Sequence, residues 1–90
     1  MGKRVEGKVV IITGGGTGIG QGIALMLARE GARVVVGGRR LEPLQNTVEQ
    51  IRQAGGEASY CRVDVTVEND CRAFVDYAVE TYGGLDVLVS

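Results

Sequence analysis

The sequence has no histidine and no tryptophan, and it contains only two cysteines and one proline in 90 residues. Cys61 and Cys71 lie ten positions apart without a CxxC pattern, so we expect free thiols rather than a zinc site or a disulfide framework. No apolar run approaches the ~18 residues that a membrane span requires. These absences argue against metal-binding, disulfide-stabilised and membrane-spanning classes of protein.

An excess of charge of either sign is also lacking. Ten Lys and Arg residues are balanced by eleven Asp and Glu residues, for a formal net charge of −1. Such a chain lacks the basic surface that attracts nucleic acid or an anionic membrane. The basic pair near the start is not followed by an apolar segment, so no secretory signal is indicated. We therefore expect a cytoplasmic protein without nucleic-acid or membrane partners.

Glycine, in contrast, is abundant, at 15 of 90 residues. Glycine and proline together still stay below the ~25–30% that marks low-complexity chains, so the chain should fold. Its length allows one small domain, or part of a larger one, and leaves no room for a second.

Four short apolar runs predict the strands of a parallel sheet. They span residues 9–13, 33–36, 58–65 and 85–89 and have the composition of strands covered on both faces. Because helical segments separate them, consecutive strands are joined by crossovers, which are almost always right-handed. The sequence therefore predicts a doubly wound α/β sheet. With strand order 3-2-1-4, ligand is expected outside the carboxyl ends of the strands, between strands one and four.

Apolar residues spaced three and four positions apart predict three helices between these strands. The expected apolar face of the first helix is Ile19, Ile23, Met26 and Leu27. The second helix covers residues 41–51, and the third follows Thr66 as its N-cap and continues to residue 82. The third helix is expected on the opposite face of the sheet from the other two.

A glycine-rich turn joins the first strand to the first helix. Its glycines are Gly14, Gly15, Gly16, Gly18 and Gly20. Backbone N–H groups and the positive end of the helix dipole can bind a phosphate at such a position. A Walker A loop is excluded because Gln21 follows Gly20, and GxGxxG fails in every register. A GxGxG spacing remains, which fits a methyltransferase or flavin-type fold, and a tight turn without ligand is the structural alternative.

The sequence Thr13-Gly14, three residues, then Gly18-Ile19-Gly20 after a hydrophobic strand resembles the TGxxxGIG cofactor motif of the short-chain dehydrogenase/reductase family. Val63-Asp64-Val65 looks like the family's adenine-contacting turn after strand three. The run at 85–90 looks like the strand that leads into its Asn-Ala-Gly motif. The resemblance covers essentially the whole chain. It implies a Rossmann-like doubly wound parallel sheet, of which residues 1–90 form the N-terminal part of a single NAD(P)-binding domain.

The resemblance also implies a function and a set of site residues. The implied cofactor-binding residues are Gly14, Gly16, Thr17, Gly18, Ile19, Gly20, Arg39, Arg40, Asp64 and Val65. The implied reaction is NADP(H)-dependent hydride transfer to or from a small carbonyl or alcohol substrate, in a homo-oligomer. The family's catalytic serine and Tyr-x-x-x-Lys pair belong to its second half, so no catalytic residue is assigned here and these 90 residues alone should be inactive. A non-catalytic dinucleotide-binding module is the alternative.

The choice between NAD and NADP depends on the end of the second strand. An NAD enzyme usually has a carboxylate there to bind the ribose 2′-OH, whereas this chain has Gly38. Arg39 and Arg40 follow at the start of a helix, where cations are disfavoured unless an anion such as a 2′-phosphate is near. In the family, a basic residue at the Arg39 position is similarly associated with NADP. Two solvated surface arginines are the structural alternative.

Thr17 and Asp64 each have two interpretations. Many NADP-using family members carry a basic residue where this chain has Thr17, whose hydroxyl could bond a phosphate. Asp64 is either an acceptor for the adenine amino group, with the Val65 backbone beside it, or a carboxylate that stabilises the start of the third helix. Strand four is expected to form an apolar edge, so the isolated chain should either self-associate or need further chain to cover that edge.

Overall fold

The computed structural model describes residues 5–14 and 16–90, so Gly15 and the first four residues lie outside the described part. The elements in chain order are β1 (Val9–Thr13), α1 (Gly18–Arg29), β2 (Arg33–Gly38), α2 (Leu41–Gln53), β3 (Glu57–Arg62), α3 (Glu68–Tyr82) and β4 (Val87–Val89). All strand pairs are parallel, and the strand order is β3-β2-β1-β4. The predicted Rossmann-like doubly wound sheet is therefore confirmed.

The sheet separates two apolar cores, because successive side chains of a strand point to opposite faces. Val10 and Ile12 of β1 pack in the core beneath α1 and α2. Val9 and Ile11, from the same strand, pack with Phe74 beneath α3. The third helix thus covers the opposite face from the first two, as predicted.

The buried face of α1 differs from the prediction. Its buried residues are Gly20, Ala24 and Ala28. Ile19 and Met26, which were expected in the core, are 82% and 54% exposed. Ile23 and Leu27 are partly buried at the margin of the core. The physical reason is that small side chains allow the helix to lie close to the bulky β-branched side chains of the sheet.

The connection from β3 to α3 also differs from the prediction. β3 ends at residue 62 instead of 65, and the N-cap of α3 is Val67 rather than Thr66. Thr66 donates both its N–H and its hydroxyl to the carboxylate of Asp64. The Asp70 carboxylate accepts a hydrogen bond from the Asp64 N–H at 3.0 Å. These bonds form a turn that ends the strand and places residues 64–66 at the carboxyl edge of the sheet.

Cys61 and Cys71 are free thiols, as predicted. Burial, with a smaller contribution from the Asp70 charge, raises the pKa of the Cys61 thiol.

In residues 5–14 and 16–90, none of the helices has the length and apolar character needed to cross a bilayer.

Candidate functional site

A cavity of about 550 Å³ opens at the carboxyl ends of the strands. The predicted site residues that line it are Gly14, Gly16, Thr17, Arg39, Arg40, Asp64 and Val65. Ser90, after β4, also lines it, but most of the lining follows β1, β2 and β3 rather than the expected switch point between β1 and β4. Pro43 and Leu44 of α2 contribute an apolar wall that the sequence interpretation did not assign.

Close backbone contacts shape the glycine-rich turn. Gly14 has a φ of 74°, a left-handed conformation that favours glycine, and its N–H donates to the Gly37 carbonyl at 2.9 Å. A Cβ atom on Gly20 would collide with the carbonyl oxygen of Gly14. A Cβ on Gly16 would lie 2.7 Å from the Cβ of Pro43. The turn can therefore keep this shape only with glycine at these three positions.

Gly18 and Ile19 present the first turn of α1 to solvent. Apart from its chain neighbours and the backbone of its own helix, no described residue has an atom within 4 Å of a Cβ built on Gly18. The N–H groups of a first helical turn have no carbonyl partner within the helix, and they carry the positive end of the helix dipole. Gly18 and Ile19 thus offer an open backbone surface to an anion, beside an exposed apolar side chain.

Thr17 is the N-cap of α1 and its side chain closes the turn. The hydroxyl donates to the Gly14 carbonyl at 2.8 Å and accepts from the Gly20 N–H at 3.1 Å. A hydroxyl has a single proton, so donation to a phosphate would require loss of the bond to Gly14. In this geometry Thr17 holds the turn in shape.

The connection between β2 and α2 carries a pair of exposed arginines. Arg40 is the N-cap residue of α2 in extended conformation, and no side chain of a described residue caps this helix. The only acidic residue in the first turn of α2 is Glu42. Two arginines and the positive end of α2 therefore lie on one side of the cavity.

Arg62 is a third cation at this edge, and the sequence interpretation did not include it. It pairs with Gly38 in the register of β2 and β3. Its Nε donates to the carbonyl oxygen of Arg39 at 3.1 Å. The signal available in the sequence was its position two residues before Asp64, near the carboxyl end of the strand predicted over residues 58–65.

Asp64 accepts hydrogen bonds from Thr66 at the mouth of the cavity. The distances from its Oδ1 atom are 2.6 Å to the Thr66 hydroxyl and 3.0 Å to the Thr66 nitrogen. These two bonds, first that of the side chain and then that of the N–H, hold the pKa of Asp64 below its usual value, and the Arg39 and Arg62 charges lower it further. Thr66, which donates both bonds, precedes α3 and is not part of the helix. Val65, beside it, is 58% exposed.

Comparison with known proteins, by sequence and by structure, gives matches to short-chain dehydrogenases. A sequence model of short chain dehydrogenases matches residues 8–90. The 7alpha-hydroxysteroid dehydrogenase of Escherichia coli strain K12 is 42% identical over 87 residues, which are 97% of this chain and 34% of that protein.

Solved structures agree with this match. A crystal structure of hydroxysteroid dehydrogenase from Escherichia coli superposes with a TM-score of 0.92 at 41% identity, over 97% of this chain and 37% of that one. A metagenomic short-chain oxidoreductase in complex with NADP gives a TM-score of 0.88 at 37% identity, over 93% of this chain and 38% of that one. The chain thus spans about a third of the length of the curated relative described above.

Proposed function

Since the chain belongs to the short-chain dehydrogenase/reductase family, we propose that residues 1–90 form the N-terminal part of a single NAD(P)-binding Rossmann domain in an NADP(H)-dependent oxidoreductase. The observation that carries the cofactor preference is the pair of arginines at the start of α2, which follows Gly38 instead of a carboxylate. The NADP-bound structure of a metagenomic relative supports the proposal.

The end of β2 suits the 2′-phosphate of NADP better than the free ribose 2′-OH of NAD. Arg39 and Arg40 line the cavity, and α2 starts there without a side-chain cap from the described residues. Guanidinium groups bind phosphate oxygens through paired donors and can stack on an adenine face. A 2′-phosphate would therefore be held by two cations and by the positive end of a helix.

The glycine-rich turn fits a pyrophosphate. Gly14, Gly16 and Gly20 are sites where an added Cβ would strain the backbone or meet a neighbour, so the chain can approach a ligand closely only with glycine there. Gly18 and Ile19 present backbone N–H groups at the positive end of α1. The role of Thr17 in binding is indirect, because its hydroxyl bonds the turn itself.

Asp64 and Val65 are proposed to contact the adenine. The Asp64 carboxylate is kept ionised by Thr66 and by neighbouring arginines, so it can accept a hydrogen bond from an exocyclic amino group. The apolar wall formed by Pro43 and Leu44 lies in the same cavity, where it could contact the ring face.

The bound nicotinamide supplies the hydride chemistry, and this part of the chain binds and orients it. We propose a small carbonyl or alcohol as the substrate and a homo-oligomer as the assembly, with the proton-transferring residues outside residues 1–90. The family match and the dehydrogenase relatives argue against a methyltransferase or flavin-type protein and do not favour a non-catalytic binding module.

The proposal is tested by Arg39→Ala and titration calorimetry with NADPH and NADH. Loss of a charged hydrogen bond typically costs about 1.5–3 kcal/mol, so NADPH affinity should fall roughly 10- to 150-fold. NADH affinity should change less than about threefold, because that cofactor lacks the 2′-phosphate.

Arg72→Ala is the matched control, since Arg72 is an exposed arginine of α3 that pairs with Glu68 instead of lining the cavity. It should leave both affinities unchanged. Equal losses for NADPH and NADH in Arg39→Ala would contradict the proposed 2′-phosphate contact.

A further inference from the structure

The side chain of Arg62, at the end of β3, forms a hydrogen bond with the backbone of Arg39, the first of the two arginines that line the cavity. The last pair in the register of β2 and β3 is Gly38 with Arg62. Beyond that pair the Val63 N–H donates to the Gly38 carbonyl at 2.8 Å, and the Arg62 Nε donates to the Arg39 carbonyl at 3.1 Å. The carbonyls of Gly38, the last residue of β2, and of Arg39, the first residue of the connection to α2, are therefore both held from the β3 side.

The second of these bonds has no evident purpose in the fold. Arg62 is exposed, and ordering a long exposed side chain costs conformational entropy that a single hydrogen bond scarcely offsets. The carbonyl that it holds belongs to Arg39, at a connection only two residues long between Gly38 and the start of α2. The bond thus acts on the peptide that joins Arg39 to Arg40, directly beside the Cα atom from which the Arg39 side chain extends.

We propose that Arg62 is a positioning residue that determines the preference of this site for a 2′-phosphorylated nucleotide, by fixing the Arg39 peptide from the β3 side. This inference rests on the proposed NADP(H) function. A guanidinium on a fixed peptide loses less freedom when it binds, and such preorganisation raises affinity without a new contact to the ligand. The effect acts through Arg39, so it should be absent for a nucleotide without a 2′-phosphate.

Two substitutions separate the hydrogen bond of Arg62 from its charge. Arg62→Gln places a neutral N–H₂ donor at the position of the Arg Nε atom. Arg62→Met gives a side chain that also ends at that position, without a donor or a charge. The probes are 2′,5′-ADP and 5′-AMP, which share the adenosine and differ in the 2′-phosphate. Titration calorimetry gives both affinities without any need for activity.

The expected result is a selective effect of the donor. Arg62→Met should weaken 2′,5′-ADP binding about fivefold, as loss of one ordinary hydrogen bond would, and should change 5′-AMP binding less than about twofold. Arg62→Gln should restore most of the loss. Arg72→Met, which removes an exposed arginine side chain from α3, should leave both affinities unchanged.

A double-substitution cycle tests the route through Arg39. In an Arg39→Ala background, Arg62→Met should have little further effect on 2′,5′-ADP. Equal losses in Arg62→Gln and Arg62→Met, or additive losses in the cycle, would overturn the positioning role and assign Arg62 a direct charge effect. If Arg39→Ala alone weakens both nucleotides equally, the proposed function itself fails, whatever Arg62 does.

Discussion

At the scale of single residues, the two glycines that end β2 have different surroundings. A Cβ on Gly37 would lie 2.6 Å from Cζ of Phe74 and 2.7 Å from Cγ1 of Val63, inside the core beneath α3. A Cβ on Gly38 would lie 3.5 Å from Cδ2 of Leu44, an ordinary contact. Gly38 also has no left-handed φ, so only this one of the two positions can accept a side chain without strain.

We therefore expect Gly38→Asp to shift the cofactor preference toward NADH. The new carboxylate would accept a hydrogen bond from the ribose 2′-OH and repel a 2′-phosphate. The ratio of NADPH to NADH affinity, measured by titration calorimetry, should fall at least about tenfold, because NADH acquires a charged hydrogen bond that NADPH cannot make. Gly38→Ala is the matched control, with the same Cβ and no charge. A shift of equal size in Gly38→Ala would contradict the electrostatic explanation.

The sequence predicts the identity of many cavity residues but not their bonding. The spacing of Gly14 and Gly20 indicates the turn, because glycine at close backbone contacts leaves a visible pattern. The hydroxyl of Thr17 is committed to that turn, and Arg62 bonds a carbonyl 23 residues away. Neither contact leaves a periodic trace, because each depends on how a polar side chain finds a partner after folding.

At the scale of elements, α1 shows why the size of a residue matters as much as its polarity. The large apolar residues, such as Met26, predict one buried face, whereas the helix buries a stripe of Gly20, Ala24 and Ala28 at intervals of four. The stripe was visible in the sequence, but hydrophobicity scales give small residues little weight.

The bounds of the helices were predicted well because glycines and polar turns interrupt the periodicity. The predicted start of α3 was wrong because Thr66 bonds Asp64 instead of the helix.

This packing predicts opposite outcomes for two substitutions in α1. Ala24 is fully buried, so Ala24→Leu should force the helix away from the sheet and lower the free energy of unfolding by about 1–3 kcal/mol. Met26 is half exposed, so Met26→Ala should cost less than about 1 kcal/mol, not the roughly 2–5 kcal/mol of a core methionine. Urea denaturation measures both values. If Met26→Ala proves the more damaging, the buried face of α1 is assigned wrongly.

At the scale of the whole molecule, the order of the strands could be predicted from the sequence because few arrangements of such a chain are physically possible. Short strands alternating with helices require parallel pairing through right-handed crossovers, and the observed order β3-β2-β1-β4 follows the prediction. The position of the cavity was less well predicted. Its lining depends on where three connections turn, and residues 63–66 turn earlier than the apolar run suggested.

The edge of the sheet leads to a prediction about assembly. Among the described strands, β4 pairs with β1 alone, and its Leu88 is 59% exposed. An uncovered apolar edge strand is a template for pairing with another chain. The 90-residue chain should therefore sediment as a dimer or larger species in analytical ultracentrifugation at tens of micromolar.

Leu88→Lys tests whether that edge is the contact. A charged side chain opposes pairing between edges, so the variant should shift the chain toward monomer. Val67→Lys is the control, because Val67 is a 41% exposed apolar residue at the start of α3 and lies outside the strand. It should leave the sedimentation unchanged. A stable monomer of the unsubstituted chain would contradict the prediction, and equal effects of the two variants would place the contact elsewhere than β4.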